Sequence, residues 1–179
     1  MSRVGKRVLN IPAGVEVKID GSNVEVKGPK GTLSYAFSNL IVIKNENNQI
    51  TTDRLNEEKS TKQLHGTTNS LIASMIKGVS EGFVKEIEIK GVGYKATQKG
   101  NQLEVIAGYS HPVYVDIPSN LEVSLPKPTN IVIKGIDKQA VGQFAAVVRD
   151  IRRPSVYSGK GIMYKDEVIR RKEGKTASK

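Results

Sequence analysis

The hexapeptide Gly21-Ser22-Asn23-Val24-Glu25-Val26 (GSNVEV) returns 79 residues later as Gly100-Asn101-Gln102-Leu103-Glu104-Val105 (GNQLEV). In each copy a glycine and a polar residue interrupt an alternating run, which then resumes. Glycine accepts the backbone angles of a tight turn, and period-two alternation sends apolar side chains to one face of a strand. Both hexapeptides therefore mark a turn between two strands.

Outward from the first copy the same logic continues. Val15, Val17 and Ile19 alternate with Glu16, Lys18 and Asp20. Gly28-Pro29-Lys30-Gly31 is a second turn, proline supplying a fixed φ and glycine a positive one. Short apolar runs at 40–43 and 50–52 add strands. The period then becomes helical: Leu64, Leu71, Ile72, Met75, Ile76 and Val79 share a stripe, with Ser60 or Thr61 placed to cap it.

Outward from the second copy the order repeats. Val113, Val115 and Ile117 alternate, 121–125 and 131–133 supply further strand, and a helix starts near Asp137. Its inner face carries Ala140, Val141, Phe144, Val147, Val148 and Ile151. KQLHG at 62–66 returns as KQAVG at 138–142, an offset of 76 that nearly matches the first. Similar offsets with the elements in one order indicate an internal duplication. The expected fold is α+β: two tandem homologous domains, each of antiparallel β-sheets packed with one α-helix around a single core. Residues 1–82 form the first domain with a basic N-terminal arm, 83–153 the second, and 154–179 a basic extension; Gly78-Val79-Ser80-Glu81-Gly82 reads as the linker.

The 179 residues carry a net charge of +10, and the charge is unevenly placed. Arg3, Lys6 and Arg7 have no acid near them, residues 8–82 balance, and residues 149–179 hold ten basic and four acidic side chains. Such an excess implies a polyanionic partner. Cysteine is absent, which excludes disulfides and thiolate metal sites and fits a cytoplasmic setting. No apolar run approaches the roughly 18 residues of a membrane span, so no membrane partner is expected.

The usual catalytic residues do not converge. His65 and His111 have no ligand-spaced partner, and Glu86, Glu88 and Glu104 read as solvated strand faces paired with Lys90 and Lys99. Gly91-Val92-Gly93 lacks the third glycine of a dinucleotide loop, and Gly159-Lys160-Gly161 lacks the spacing of a nucleotide-binding loop. The chain does not read as an enzyme, and no metal or cofactor is implied.

The ends carry the chemistry instead. Pro154 stops the second helix, so Arg149, Arg152 and Arg153 cluster on its last turn, suited to anion contact. Beyond it the glycines at 159 and 161 let backbone N–H groups approach a phosphate while Lys160 neutralises it. Tyr157 and Tyr164 offer faces for stacking on bases, or pin the segment to the second domain. Lys165, Arg170, Arg171, Lys172 and Lys175 extend the charge. A chain cut after Arg153 is expected to fold and to lose affinity for RNA.

The opening SRVGK and IPAGV, the KGPKG turn, the doubled strand-and-helix unit and the closing RRPSVYSGKGIMYKDEVIRRKEGK together resemble the bacterial form of the large-subunit ribosomal protein six family. The resemblance spans essentially the whole chain. It implies direct binding to large-subunit ribosomal RNA, mainly by the second domain and tail, near the sarcin–ricin loop and the landing site of translational GTPases. Neighbouring large-subunit proteins are implied partners. Carried onto this sequence, the contacts fall on Arg3, Lys6, Tyr157, Gly159, Lys160, Gly161, Tyr164, Arg170, Arg171, Lys172 and Lys175. Ser155, Ser158 and Met163 depart from the family pattern, and no RNA contact is assigned to Ser158 or Met163. The competing readings are a nucleic-acid-binding accessory enzyme with the tail as substrate clamp, and a peripheral membrane protein. The second is disfavoured by a tail broken at Pro154, Gly159 and Gly161.

Overall fold

The computed structural model describes residues 3–175, which divide into two compact units. One takes in the chain up to Phe83 together with Ile136–Lys138; the other takes in Val84–Gly135 and everything from Gln139 onward.

The first unit contains β1 (Leu9–Asn10), β2 (Glu16–Asp20), β3 (Asn23–Gly28), β4 (Gly31–Ala36), β5 (Ile41–Glu46), β6 (Gln49–Arg54) and α1 (Lys59–Ser80). They form two three-stranded antiparallel sheets, β2-β3-β4 and β1-β6-β5. Their inward side chains meet Ile72, Met75, Ile76 and Val79 of α1 in one core with Val24, Val26, Ile41 and Ile50. Asn47 and Asn48, at φ 50° and 60°, are the two loop residues of the β5–β6 hairpin. Two left-handed positions twist the chain as the flanking strands require, and asparagine tolerates them better than most residues.

The second unit contains β7 (Phe83–Lys90), β8 (Lys95–Lys99), β9 (Gln102–Ile106), β10 (Val113–Asp116), β11 (Leu121–Lys127), β12 (Asn130–Gly135), α2 (Lys138–Ile151) and β13 (Gly161–Tyr164), apart from residues at the unit boundary. Its sheets are β8-β9-β10 and β11-β12-β7-β13. The element order matches the first unit strand for strand, with β13 as the addition. The repeated hexapeptides sit at equivalent turns: Gly21 has φ 58° and Gly100 φ 59°, each the first loop residue of a two-residue hairpin. The fold is α+β with two tandem homologous domains, as the duplicated sequence requires.

Several local expectations are corrected. Neither Ser60 nor Thr61 caps α1: Glu58 is the N-cap, without a side-chain cap bond, and Thr61 is buried with its hydroxyl unpartnered. The linker reading of 78–82 fails because α1 runs to Ser80. Only Glu81 and Gly82 follow, both N–H groups returning to the Lys77 carbonyl, with Gly82 at φ 79°. That is the left-handed glycine stop of a helix. On α2, Val147 is exposed, and Ala145 takes the inner position beside Val141, Phe144 and Val148. The largest difference is in the tail, where four residues form β13.

Candidate nucleic-acid interface

The basic segment after α2 is built on the second unit's sheet. β13 pairs with β7, setting Gly161 opposite Lys90, Ile162 opposite Ile89, Met163 opposite Glu88 and Tyr164 opposite Ile87. Ile162 and Met163 are buried. Two buried apolar side chains contribute roughly 3–6 kcal/mol, enough to hold an otherwise polar segment in place.

Between α2 and β13 the chain closes a small loop around Ser155. Its Oγ accepts from the N–H groups of Tyr157 and Ser158, its carbonyl accepts from Gly159 N–H at 2.8 Å, and its own N–H donates to the Lys160 carbonyl. The N–H of Ile162 then donates to Arg152. The phosphate-cradle reading of the glycines is corrected here. Both are buried, and Gly159 N–H is already committed to Ser155. Their lack of a side chain serves packing: a Cβ at Gly159 would lie 2.6 Å from the Arg171 guanidinium, and one at Gly161 would strike Pro154 and the Arg153 carbonyl.

After β13 the chain turns back. Lys165 N–H reaches the Glu86 carbonyl, and Lys172 N–H donates to Val156 at 3.0 Å. Residues 165–172 are thereby laid back against the 155–160 loop.

The cations divide into two groups. Arg149, half-buried, forms a two-point pair with Glu167 and lies 5.6 Å from the centre of the Tyr164 ring. The pair raises the Arg149 pKa, and the same bond holds Glu167 below the usual carboxylate range. Arg153 is paired with Asp150, and Lys165 with Glu86 at 2.7 Å. These three are tied within the fold. By contrast Arg152, Lys160, Arg170, Arg171, Lys172 and Lys175 are exposed, with no acidic partner among the described residues. Tyr157 is 64% exposed; Tyr164 is half-buried, with Lys85 also over its ring.

The N-terminal arm is held in the first unit by buried polar groups. The Gly5 carbonyl accepts from Thr52 Oγ1 and Asn69 Nδ2, and the Arg7 carbonyl from Asn69 at 2.8 Å. Gly5 lies so close over the His65 ring that a Cβ would fall 2.6 Å from it. His65 is packed, its Nε2 bonded to the Thr52 carbonyl. Arg3 and Lys6 are left exposed on this anchored turn.

Sequence reasoning overlooked a cluster in the second unit. Tyr109 donates its hydroxyl to the Ile151 carbonyl, stacks with His111 at 6.2 Å, and lies 5.1 Å from the Arg152 guanidinium. The Tyr109 hydroxyl, with Tyr94 nearby, raises the Arg152 pKa. The available signal was GYSHP at 108–112, an aromatic and a histidine in a loop between strands, where neither serves a core. Glu104 pairs with Lys99 as expected but departs from expectation in its exposure. Instead of lying on a solvated face it is buried, accepting from Lys99, Thr97 and Tyr114.

Fold and charge together define a duplicated α+β protein with a structured cationic end. A sequence model of the family described as Ribosomal protein L6 matches residues 11–82 and 90–165, one segment in each unit. A relative from Metamycoplasma arthritidis, named large ribosomal subunit protein uL6, is 69% identical over 179 residues, covering all of both chains. One of the same name from Bacillus cereus strain ZK / E33L is 53% identical over 178 residues, covering 99% of each. The chain belongs to the ribosomal protein L6 family.

Proposed function

We propose that this chain is a structural protein of the large ribosomal subunit that binds large-subunit ribosomal RNA directly. The second unit and its basic C-terminal residues make the main contact, supporting the region near the sarcin–ricin loop where translational GTPases act. It works in the cytoplasm, within the ribosome, beside neighbouring large-subunit proteins, and does no chemistry of its own. The full-length similarity to proteins named for the large subunit supports this reading.

The observation that carries the contact site is the folded state of the tail. β13 and the loop before it hold Lys160, Arg170, Arg171 and Lys172 on a framework already tied to the sheet. Cations fixed before binding lose less side-chain and backbone freedom when they meet phosphates. Arg152 beside Tyr109 and His111 adds a guanidinium and stacking faces, the means by which proteins hold unpaired bases. Arg3 and Lys6 form a smaller basic site on the first unit. Arg149, Gly159, Gly161 and Tyr164 act through the fold, holding the tail in position.

The test compares the full chain with one ending at Glu167 for binding to a large-subunit ribosomal RNA fragment. The shorter chain keeps β13 and the Arg149–Glu167 pair but lacks Arg170, Arg171, Lys172 and Lys175. Affinity is expected to fall at least about tenfold, since several phosphate contacts go. Equal affinity would overturn the site.

A further inference from the structure

The duplication leaves the two units unequal at one edge. β13 covers the outer edge of β7, while the matching edge of β1 carries no strand among the described residues. The match can be made residue by residue. Ile11 N–H donates to the Asn48 carbonyl at 2.9 Å, and Ile89 N–H to the Thr129 carbonyl at 2.8 Å, each at its hairpin loop. Ile11 therefore stands for Ile89, and buried Leu9 for buried Ile87. In an antiparallel pair, alternate residues direct their N–H and C=O to opposite neighbours. Since Ile11 bonds toward β6, Asn10 directs both groups outward, as Glu88 directs its own toward β13.

A groove of about 360 Å³ runs along this edge, lined by Arg7, Val8, Leu9 and Asn10 on one side, by Ala73 and Ile76 of α1 on another, and at one end by Ser80 and the mutually paired Lys77 and Glu81. Its strand wall corresponds to 85–88, of which Ile87 and Glu88 lie opposite Tyr164 and Met163 of β13, and Glu86 receives the N–H of Lys165 just beyond it. The 76-residue offset of KQLHG and KQAVG equates Ala73 and Ile76 with Arg149 and Arg152. Those two hold the occupant of the second unit: Arg149 grips Glu167, and the Arg152 carbonyl receives Ile162 N–H. Both walls of the β13 site recur, without the strand.

We propose that this groove is a docking slot where an extended segment of a partner protein adds a strand to β1, as β13 adds one to β7. Strand addition supplies main-chain bonds, while alternate side chains select the partner. The charges say which segment fits. Where Glu86 holds Lys165, the first unit has Val8, and where Arg149 holds Glu167 it has Ala73. The chain's own tail would lose both ion pairs there, which disfavours a second copy. The slot calls for a segment apolar at those two places. It also favours an aromatic at the position of Tyr164, since Arg7 replaces Lys85, which lies 5.4 Å from that ring.

The proposal goes beyond the ribosomal reading, and its test does not assume it. The full-length variant Val8→p-benzoylphenylalanine is expressed in cells and irradiated, and the adduct is mapped to the residue. The expected product joins position 8 to one defined protein segment with the apolar pattern described. Asn10→Pro, which removes an outward N–H, and Ala73→Arg, which fills the helix side, are each expected to cut its yield at least about tenfold. Folding of both variants is checked by circular dichroism, and Ala73→Arg, at a half-buried position, decides the matter if Asn10→Pro unfolds. An adduct with RNA or with another copy of this chain would overturn the proposal. So would a yield no greater than from the same probe at exposed Lys18, or one unmoved by a folded variant.

Discussion

Gly159 shows how a residue's chemistry is decided by its surroundings. At φ 68° a side chain occupies a left-handed conformation that costs about 1–2 kcal/mol, and the nearest atom it would meet belongs to flexible Arg171. Gly159→Ala is therefore expected to lower stability by about 1–2 kcal/mol in denaturant unfolding, the backbone conformation dominating the clash. Gly174→Ala, with nothing within 4 Å, should leave it unchanged. Glu104 gives the pH counterpart. Hydrogen bonds from Lys99, then Thr97 and Tyr114, bring its pKa down to about 2 from an ordinary 4.5, although burial opposes them. A carboxylate depressed by folding contributes stability that is complete above the unfolded pKa and is lost as pH falls through the folded one. The contribution should fade between about pH 4.5 and 2. Glu104→Gln should flatten that part of the stability–pH curve without changing its shape above pH 6. The role of Gly159 was not legible in sequence, and of that of Glu104 only the pairing with Lys99 was. Nothing in a linear reading says that Arg149 meets Glu167, or that Gly159 supports Arg171, because those partners are chosen by the path of the tail.

At the scale of elements, legibility followed periodicity. β2, β3 and β10 alternate cleanly, and α1 and α2 carry stripes, because one face of each is wet and the other buried. β1 is two residues long, too short to show a period. β13 is four residues, three of them buried, set among glycines and charges; its conformation is imposed by the free edge of β7. That strand revises the expectation for a chain cut after Arg153. Removing it exposes the edge of β7 and loses Ile162 and Met163, at a cost of roughly 3–6 kcal/mol. Since domain stabilities are of the order of 5–15 kcal/mol, the second unit of that chain is expected to unfold in part, seen as lost amide protection in β7. The chain ending at Glu167 should retain it. Equal protection in both chains would mean β13 is dispensable.

At the scale of the whole molecule, the long middle of the sequence is nearly neutral and the excess charge lies at the two ends, each fastened to its own unit. Binding through about six neutralised phosphates predicts that log affinity falls with log salt at a slope of about −4 to −5. A slope near zero would remove the electrostatic account. The duplicated architecture was readable from two short repeats because each marks the same element in its own unit, a two-residue turn and the N-terminal part of a helix. The inequality between the copies was not, since it resides in an edge that one copy covers and the other leaves open.

β13 has a further consequence that concerns time. Domains fold as their chain is made, N-terminal first. The first unit owes nearly all its residues to the stretch before Phe83, so its core can assemble while the rest is still being translated. The second waits for its closing strand, which is made after every other strand of either unit. A polypeptide stopped before Gly161 thus leaves one edge of β7 unpaired, while one extended past β13 shows its arginines on a settled frame. The order of synthesis makes the cationic grip a certificate that the second unit has closed.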